Sequence, residues 1–129
     1  MKKILIIEDD VDITQILCIA LNSAYSVLVA NSFSGLLKKV IDFAPDLIIC
    51  DNSVGQYKAI EIIAGIRGIA FHKAAPVLLL SAHPEIKKIA EEIDASAWMM
   101  KPFQIKDLCS CIYSVLASSL HVNAENAMS

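Results

Sequence analysis

The chain has 129 residues, the size of one ordinary domain, and its 56% hydrophobic content can fill a core covered on both faces. No apolar run reaches the ~18 residues of a membrane helix, and a net charge of −3 without a basic stripe argues against direct nucleic-acid binding. Met1-Lys2-Lys3 and four aliphatics resemble the start of a signal peptide, but acids follow at once, so the chain is read as cytoplasmic, with no membrane partner.

Apolar runs and amphipathic stripes alternate along the sequence. Residues 3–8 form the first strand-like run. Val11 to Ser23 then carries Ile13, Ile16, Leu17, Ala20 and Leu21 at helical spacing, with Asp10 or Asp12 as the cap. A run at 26–30 precedes a helical stripe of Leu36, Leu37, Val40 and Ile41 between Ser34 and Phe43, which Ala44-Pro45 ends. The run at 46–51 precedes a helix over Tyr57 to Ala70, carrying Ile60, Ile63 and Ile66 or Arg67 and weakened by Gly65 and Gly68. The run at 76–81 leads to Pro84 to Ile93, with Ile86, Ile89, Ala90 and Ile93 on one stripe. The last run, 96–101, leads to Ile105 to Leu120, with Leu108, Ile112, Val115 and Leu116. Residues 121–129 are small and polar and read as a flexible tail or linker stub after a domain of residues 1–120.

Strand and helix alternating five times imply an α/β fold, a parallel sheet with helices on both faces. The continuous aliphatic strands fit a sheet covered on both sides. Cys18, Cys50, Cys109 and Cys111 lack metal-ligand spacing and read as small buried hydrophobes in a reducing compartment.

Chemistry collects at the strand ends. The first run ends in Glu8-Asp9-Asp10, the third in Asp51, the fourth in Ser81 and the fifth in Lys101-Pro102; only Val27-Leu28-Val29 has no such terminus. Open parallel sheets bind ligands outside the carboxyl ends of their strands. Glu8, Asp9 and Asp51 are expected to converge there. Two carboxylates about 4 Å apart repel by roughly 4 kcal/mol at an effective dielectric near 20, so the group needs counter-charge. Lys101 supplies one, and a divalent cation can supply the rest. Oxygen donors without nearby His or Cys favour Mg²⁺ or Mn²⁺. One carboxylate is then free to act as a nucleophile toward a phosphoryl group.

Ile-Leu-Ile-Ile-Glu-Asp-Asp, Pro-Asp-Leu-Ile-Ile-Cys-Asp, Val-Leu-Leu-Leu-Ser-Ala and Trp-Met-Met-Lys-Pro-Phe follow one another in an order and spacing that resemble a response-regulator receiver domain, the phosphoacceptor module of two-component signalling. The resemblance covers Lys3 to about Leu120. It implies a flavodoxin-like, doubly wound five-stranded parallel sheet in strand order 2-1-3-4-5. It implies Asp51 as the phosphorylated residue, Asp9 as a direct metal ligand, Glu8 as its neighbour acting through water, and the Ser53 backbone carbonyl as the remaining protein ligand. Lys101 resembles the lysine that pairs with Asp51 and then with phosphate, and Ser81 the switch hydroxyl, with small Ala82 beside it. Trp98 falls at the switch aromatic, although a large core side chain on the last strand is an equal reading. Lys101-Pro102 is a candidate cis peptide bond. The implied phosphodonor is a histidine kinase or histidine phosphotransfer protein, with a downstream effector or a homodimer using the face 84–120.

The sequence also departs from the family pattern. A Met-Pro pair and a later Gly in the loop after Asp51 are replaced by Val54-Gly55 and Ala59, and the Gly before the last strand by Asp94 or Ala95. Gly55 is expected to loosen the loop that carries the Ser53 carbonyl. His83 reads as an exposed loop residue rather than a base. A degenerate receiver that binds partners without phosphorylation is one rival reading. A haloacid-dehalogenase-like phosphatase is another: Asp10-Val11-Asp12-Ile13-Thr14 fits its Asp-x-Asp-x-Thr motif, but that reading leaves Asp51 without a role.

Overall fold

The computed structural model describes residues 1–69 and 75–128, with side chains described to Ser118. In chain order the elements are β1 (Lys3–Ile7), α1 (Val11–Leu21), β2 (Ser26–Ala30), α2 (Leu36–Phe43), β3 (Leu47–Asp51), β4 (Ser53–Val54), β5 (Tyr57–Lys58), α3 (Ala59–Arg67), β6 (Val77–Ser81), α4 (Ile86–Glu92), β7 (Ala97–Met100) and α5 (Ile105–Met128). Five strands form one sheet in the order β2-β1-β3-β6-β7, with parallel pairing throughout. This is the expected 2-1-3-4-5 order, with the short antiparallel pair β4–β5 inserted after the third sheet strand.

Successive side chains of a strand point to opposite faces, so the aliphatic runs feed two cores. Leu5, Ile7, Ile48, Cys50, Val77 and Leu79 face one cluster, closed by Leu36, Val40, Ile62, Ile63 and Ile66 of α2 and α3 and by Ile86 and Ala90 of α4. Ile4, Ile6, Leu47, Ile49, Leu78 and Leu80 face the other, closed by Leu17 and Leu21 of α1 and by Leu108, Ile112 and Val115 of α5.

Three stripes read from the sequence each include one residue that the structure exposes. Ile60 is 49% exposed, and the buried stripe of α3 is Ala59, Ile62, Ile63 and Ile66. Small, fully buried Ala59 sets this phase, because i, i+3, i+4 and i+7 counted from it share one face. Ile16 of α1 and Ile41 of α2 are likewise exposed, which narrows each buried stripe. The expected helix end at Ala70 lies outside the described residues, and α3 closes at Arg67. Helix α5 runs on past Leu120 to Met128.

Helix α4 ends in a Schellman motif. The Asp94 N–H donates to the Glu91 carbonyl at 3.1 Å, and the Ala95 N–H donates to the Ala90 carbonyl at 2.9 Å. The motif needs a left-handed residue, and Asp94 supplies it with φ +52°. Of the two positions where the resemblance places a glycine, Asp94 and Ala95, Asp94 is the left-handed one. The Arg67 guanidinium, reaching from the end of α3, donates to the carbonyls of Ile93 and Asp94. A cation at a helix C-terminus also complements its dipole. Asp94→Gly removes the Cβ penalty of the left-handed conformation, so stability to urea should rise by about 1 kcal/mol. An unchanged or lower unfolding midpoint would contradict this.

Candidate functional site

The connection from β1 goes to β2 on one side, and the chain returns to place β3 on the other. The crevice between β1 and β3 is thus where the strand order reverses. Ile7 pairs with Cys50, so Glu8 and Asp51, each one residue further on, emerge side by side. Asp9 follows Glu8. Carboxylate oxygens of Glu8, Asp9 and Asp51 all lie within 4.8 Å of one another. The sequence expectation that these three acids converge is met.

Lys101 reaches them from the far side. Its Nζ lies 3.3 Å from Glu8 Oε2 and 3.3 Å from Asp51 Oδ1. Lys101 directly follows β7, its N–H donates to the Ser81 carbonyl at 2.9 Å, and the Lys101-Pro102 peptide is cis. One ammonium faces three acids. At separations near 4.8 Å each like-charge pair costs roughly 3 kcal/mol at an effective dielectric near 20. Glu8 carries the strain, for its side chain is only 2% exposed. Burial first, then the charge of Asp51, pushes its carboxyl up to about 7, although the Asp10 N–H and Lys101 both pull it down. Burial and the neighbouring Asp51 and Glu8 also push the Cys50 thiol far up, which fits Cys50 as a packing residue. Among the described residues all four cysteines are free.

The remaining site residues have defined surroundings. Asp51 Oδ1 also accepts from the Asn52 N–H at 2.8 Å. Asp9 Oδ2 accepts from the Gly55 N–H at 2.8 Å. Ser53 lies in β4, with its backbone paired to Lys58. Ser81 is 3% exposed at the end of β6, and its Oγ accepts from the His83 N–H at 2.9 Å. His83 is exposed, and its Nδ1 accepts from the Glu85 N–H. Trp98 is 43% exposed, which excludes it from the core. It borders a cavity of about 560 Å³ with Lys87, Ala90 and Glu91 of α4. Asp10 caps α1 by accepting from the Ile13 N–H, and Thr14 Oγ1 donates to the Asp10 carbonyl. The Asp-x-Asp-x-Thr run is therefore a helix start.

One contact escaped the sequence. Val54 pairs with Tyr57 across Gly55-Gln56, so the residues after Asp51 form a two-residue hairpin whose first central residue has φ +60°. Gly55 sits at the tip of this hairpin and donates to Asp9. The available signal was a lone Gly between short runs, with an aromatic just beyond.

Three carboxylates and an ammonium stand together at the carboxyl ends of a parallel sheet, an arrangement consistent with a phosphoacceptor site. Residues 4–113 match the family described as response regulator receiver domain. The chain belongs to that family, a phosphoacceptor signalling module of two-component systems rather than a turnover enzyme. It is 34% identical to the transcriptional regulatory protein KdpE of Staphylococcus aureus over 83% of this chain and 46% of KdpE. It is 27% identical to the phosphate regulon transcriptional regulatory protein PhoB of Pseudomonas aeruginosa over 89% of this chain and 52% of PhoB. The chain thus spans about half the length of these relatives. Chemotaxis protein CheY4 of Vibrio cholerae superposes with a TM-score of 0.80 at 27% identity, covering 89% of this chain and 98% of CheY4. No helix among the described residues is long and apolar enough to cross a membrane.

Two outcomes follow from the crowding of the acids. In chelator-treated protein, Asp51→Asn should raise stability by roughly 1 kcal/mol, because it relieves two repulsions while Lys101 keeps Glu8 as a partner; a lower melting temperature would contradict it. The second concerns pH. The Glu8 carboxyl titrates near 7 in the folded chain and near 4.5 when unfolded, so between those values the folded state holds a proton that the unfolded state has released. Its contribution is fully present below 4.5 and is lost as pH rises through 7. Metal-free wild type should lose on the order of 1–3 kcal/mol across that window relative to Glu8→Gln. Parallel pH profiles for the two proteins would refute the assignment.

Proposed function

We propose that this receiver is a phosphorylation switch in which Asp51 takes a phosphoryl group from the phosphohistidine of a histidine kinase or phosphotransfer protein. One observation carries the reading. The Asp51 carboxylate lies within 4.8 Å of oxygens from Glu8 and Asp9 and 3.3 Å from the Lys101 ammonium, so nucleophile, cation ligands and counter-charge share one crevice. An Asp51 oxygen attacks phosphorus, and the electron pair of the breaking P–N bond returns to the imidazole nitrogen. The Lys101 ammonium then pairs with a phosphoryl oxygen. The donor set of three carboxylates fits a hard divalent cation. Glu8, Asp9, Asp51 and the Ser53 carbonyl would hold Mg²⁺ or Mn²⁺, which when bound neutralises charge on the phosphoryl oxygens.

Ser81 is the switch donor in this reading. Its hydroxyl turns toward the phosphoryl group and draws on the loop to α4, through the His83 N–H that it now accepts from. Trp98 and the face 84–120 would pass the change to an effector or to a second copy, as a population shift between two packings. The half-exposed Trp98, open to solvent beside α4, supports this. KdpE and PhoB are named transcriptional regulatory proteins, which supports control of transcription as the output. The proposal takes residues 1–120 as the receiver, 121–129 as a tail or linker, and the cytoplasm as its place of action.

A phosphorylation-independent interaction module is the second reading. The altered segment at Val54-Gly55, a hairpin where the family resemblance places a Met-Pro pair, favours it. Incubation with acetyl phosphate and Mg²⁺ separates the two. A switch gains the mass of one phosphoryl group, and Asp51→Asn abolishes the gain. Beryllium fluoride with Mg²⁺ should also change the emission of Trp98, the single tryptophan, in wild type alone. Well-folded wild type that shows neither response is the degenerate module.

A further inference from the structure

The hairpin β4–β5 is anchored on several sides. Val54 is buried in the core beneath it. At its base the Asn52 N–H donates to Asp51 Oδ1, and the Ala59 N–H donates to the Asn52 carbonyl at 2.7 Å. On its flank the Tyr57 ring stacks on Phe33 of the β2–α2 loop, with centroids 4.6 Å apart and planes 26° from parallel. Its tip carries the Gly55 N–H to Asp9 Oδ2 at 2.8 Å, across 46 residues of sequence.

In this chain that bond is what holds Asp9. Unlike Glu8 it is exposed, so packing does not hold its carboxylate. A carboxylate that ligates a metal is commonly oriented by a hydrogen bond to its other oxygen, and losing that partner weakens metal affinity by roughly 10–100-fold. Only an unusual residue can donate from the tip of this hairpin. The position has φ +60°, which L side chains rarely adopt, and it must keep its N–H. Proline satisfies neither condition. Space is not the constraint, since a Cβ built at Gly55 meets nothing within 4 Å.

We propose that Gly55 is a positioning residue of the cation site: its backbone N–H holds Asp9 Oδ2 and so fixes the carboxylate that stands beside Glu8 and Asp51. The inference rests on the reading of the acidic cluster as a divalent-cation site. It means that the Val54-Gly55 departure carries its own means of ordering the site.

Two substitutions at one position test it. Gly55→Asn keeps the N–H and tolerates a left-handed backbone, whereas Gly55→Pro removes the donor and demands φ near −65°. Mg²⁺ affinity is read by calorimetry and by Trp98 emission. Wild type and Gly55→Asn should agree within about twofold, and Gly55→Pro should bind roughly tenfold more weakly or worse. Proline affinity within about threefold of wild type, or tighter than wild type, overturns the proposal. Because proline could unseat the whole hairpin, a second measurement leaves Gly55 intact. In ¹⁵N-glycine-labelled, metal-free protein the Gly55 amide proton should shift upfield in Asp9→Ala; an unmoved resonance overturns the proposal. Wild type that binds no Mg²⁺ at all overturns the cation-site reading and this inference together. Wild type that binds while the proline variant binds equally well removes the Gly55 inference alone.

Discussion

Like charge confined at the end of a sheet is the constraint around which this molecule is arranged. Parallel pairing of β1 with β3 brings Glu8 and Asp51 out of neighbouring strands with no choice of spacing, because the register Ile7 to Cys50 is set by aliphatic side chains buried on both faces. Burial of Glu8 raises the cost further, since a carboxylate leaving water is disfavoured whatever its neighbours. The Lys101 ammonium offsets part of this, and backbone N–H groups of Asp10, Asn52 and Gly55 each take a carboxylate oxygen. Three carboxylates set against one ammonium leave this crevice short of positive charge, the deficit that a hard cation would relieve.

The sheet was legible because four of its five strands carry three or four consecutive Ile, Leu and Val residues. In the central strands these runs are covered on both faces, which leaves little freedom in where a strand lies. Helix phase was less legible. In α3 the anchor is Ala59, a residue too small to stand out in a hydrophobic pattern, so exposed Ile60 was read in its place although Ile63 and Ile66 were legible. At the site, Glu8, Asp9, Asp51, Ser81 and Lys101 could be read from their positions at strand ends, since strand polarity alone puts them on one rim. Gly55 could not. Its part is played by a backbone N–H, which every non-proline residue has, and only the hairpin closed between Val54 and Tyr57 aims it at Asp9. Trp98 was ambiguous for a different reason: β7 is an edge strand, so its two faces differ in cover more than a pattern of side chains reveals.

The chain meets its family's requirements with different local solutions. A left-handed residue is needed where α4 turns into β7, and Asp94 accepts the strain that glycine would avoid. After Asp51, a Gly55-Gln56 hairpin braced by Phe33 and Tyr57 stands where the resemblance places a Met-Pro pair. In both places hydrogen bonds and packing hold the backbone.

Helix α4 is held unequally at its two ends. Its final carbonyls are clasped by Arg67 from α3, whereas its approach from Ser81 runs through exposed residues around His83 and Pro84. In the proposed switch, a push that starts at the Ser81 hydroxyl would meet a hinge pin at the opposite end. The helix would pivot about Ile93 and Asp94 rather than slide. The largest sweep then falls on its first turn, and the rim of the cavity shared with Trp98 is fanned open or shut with little travel at the C-terminal end.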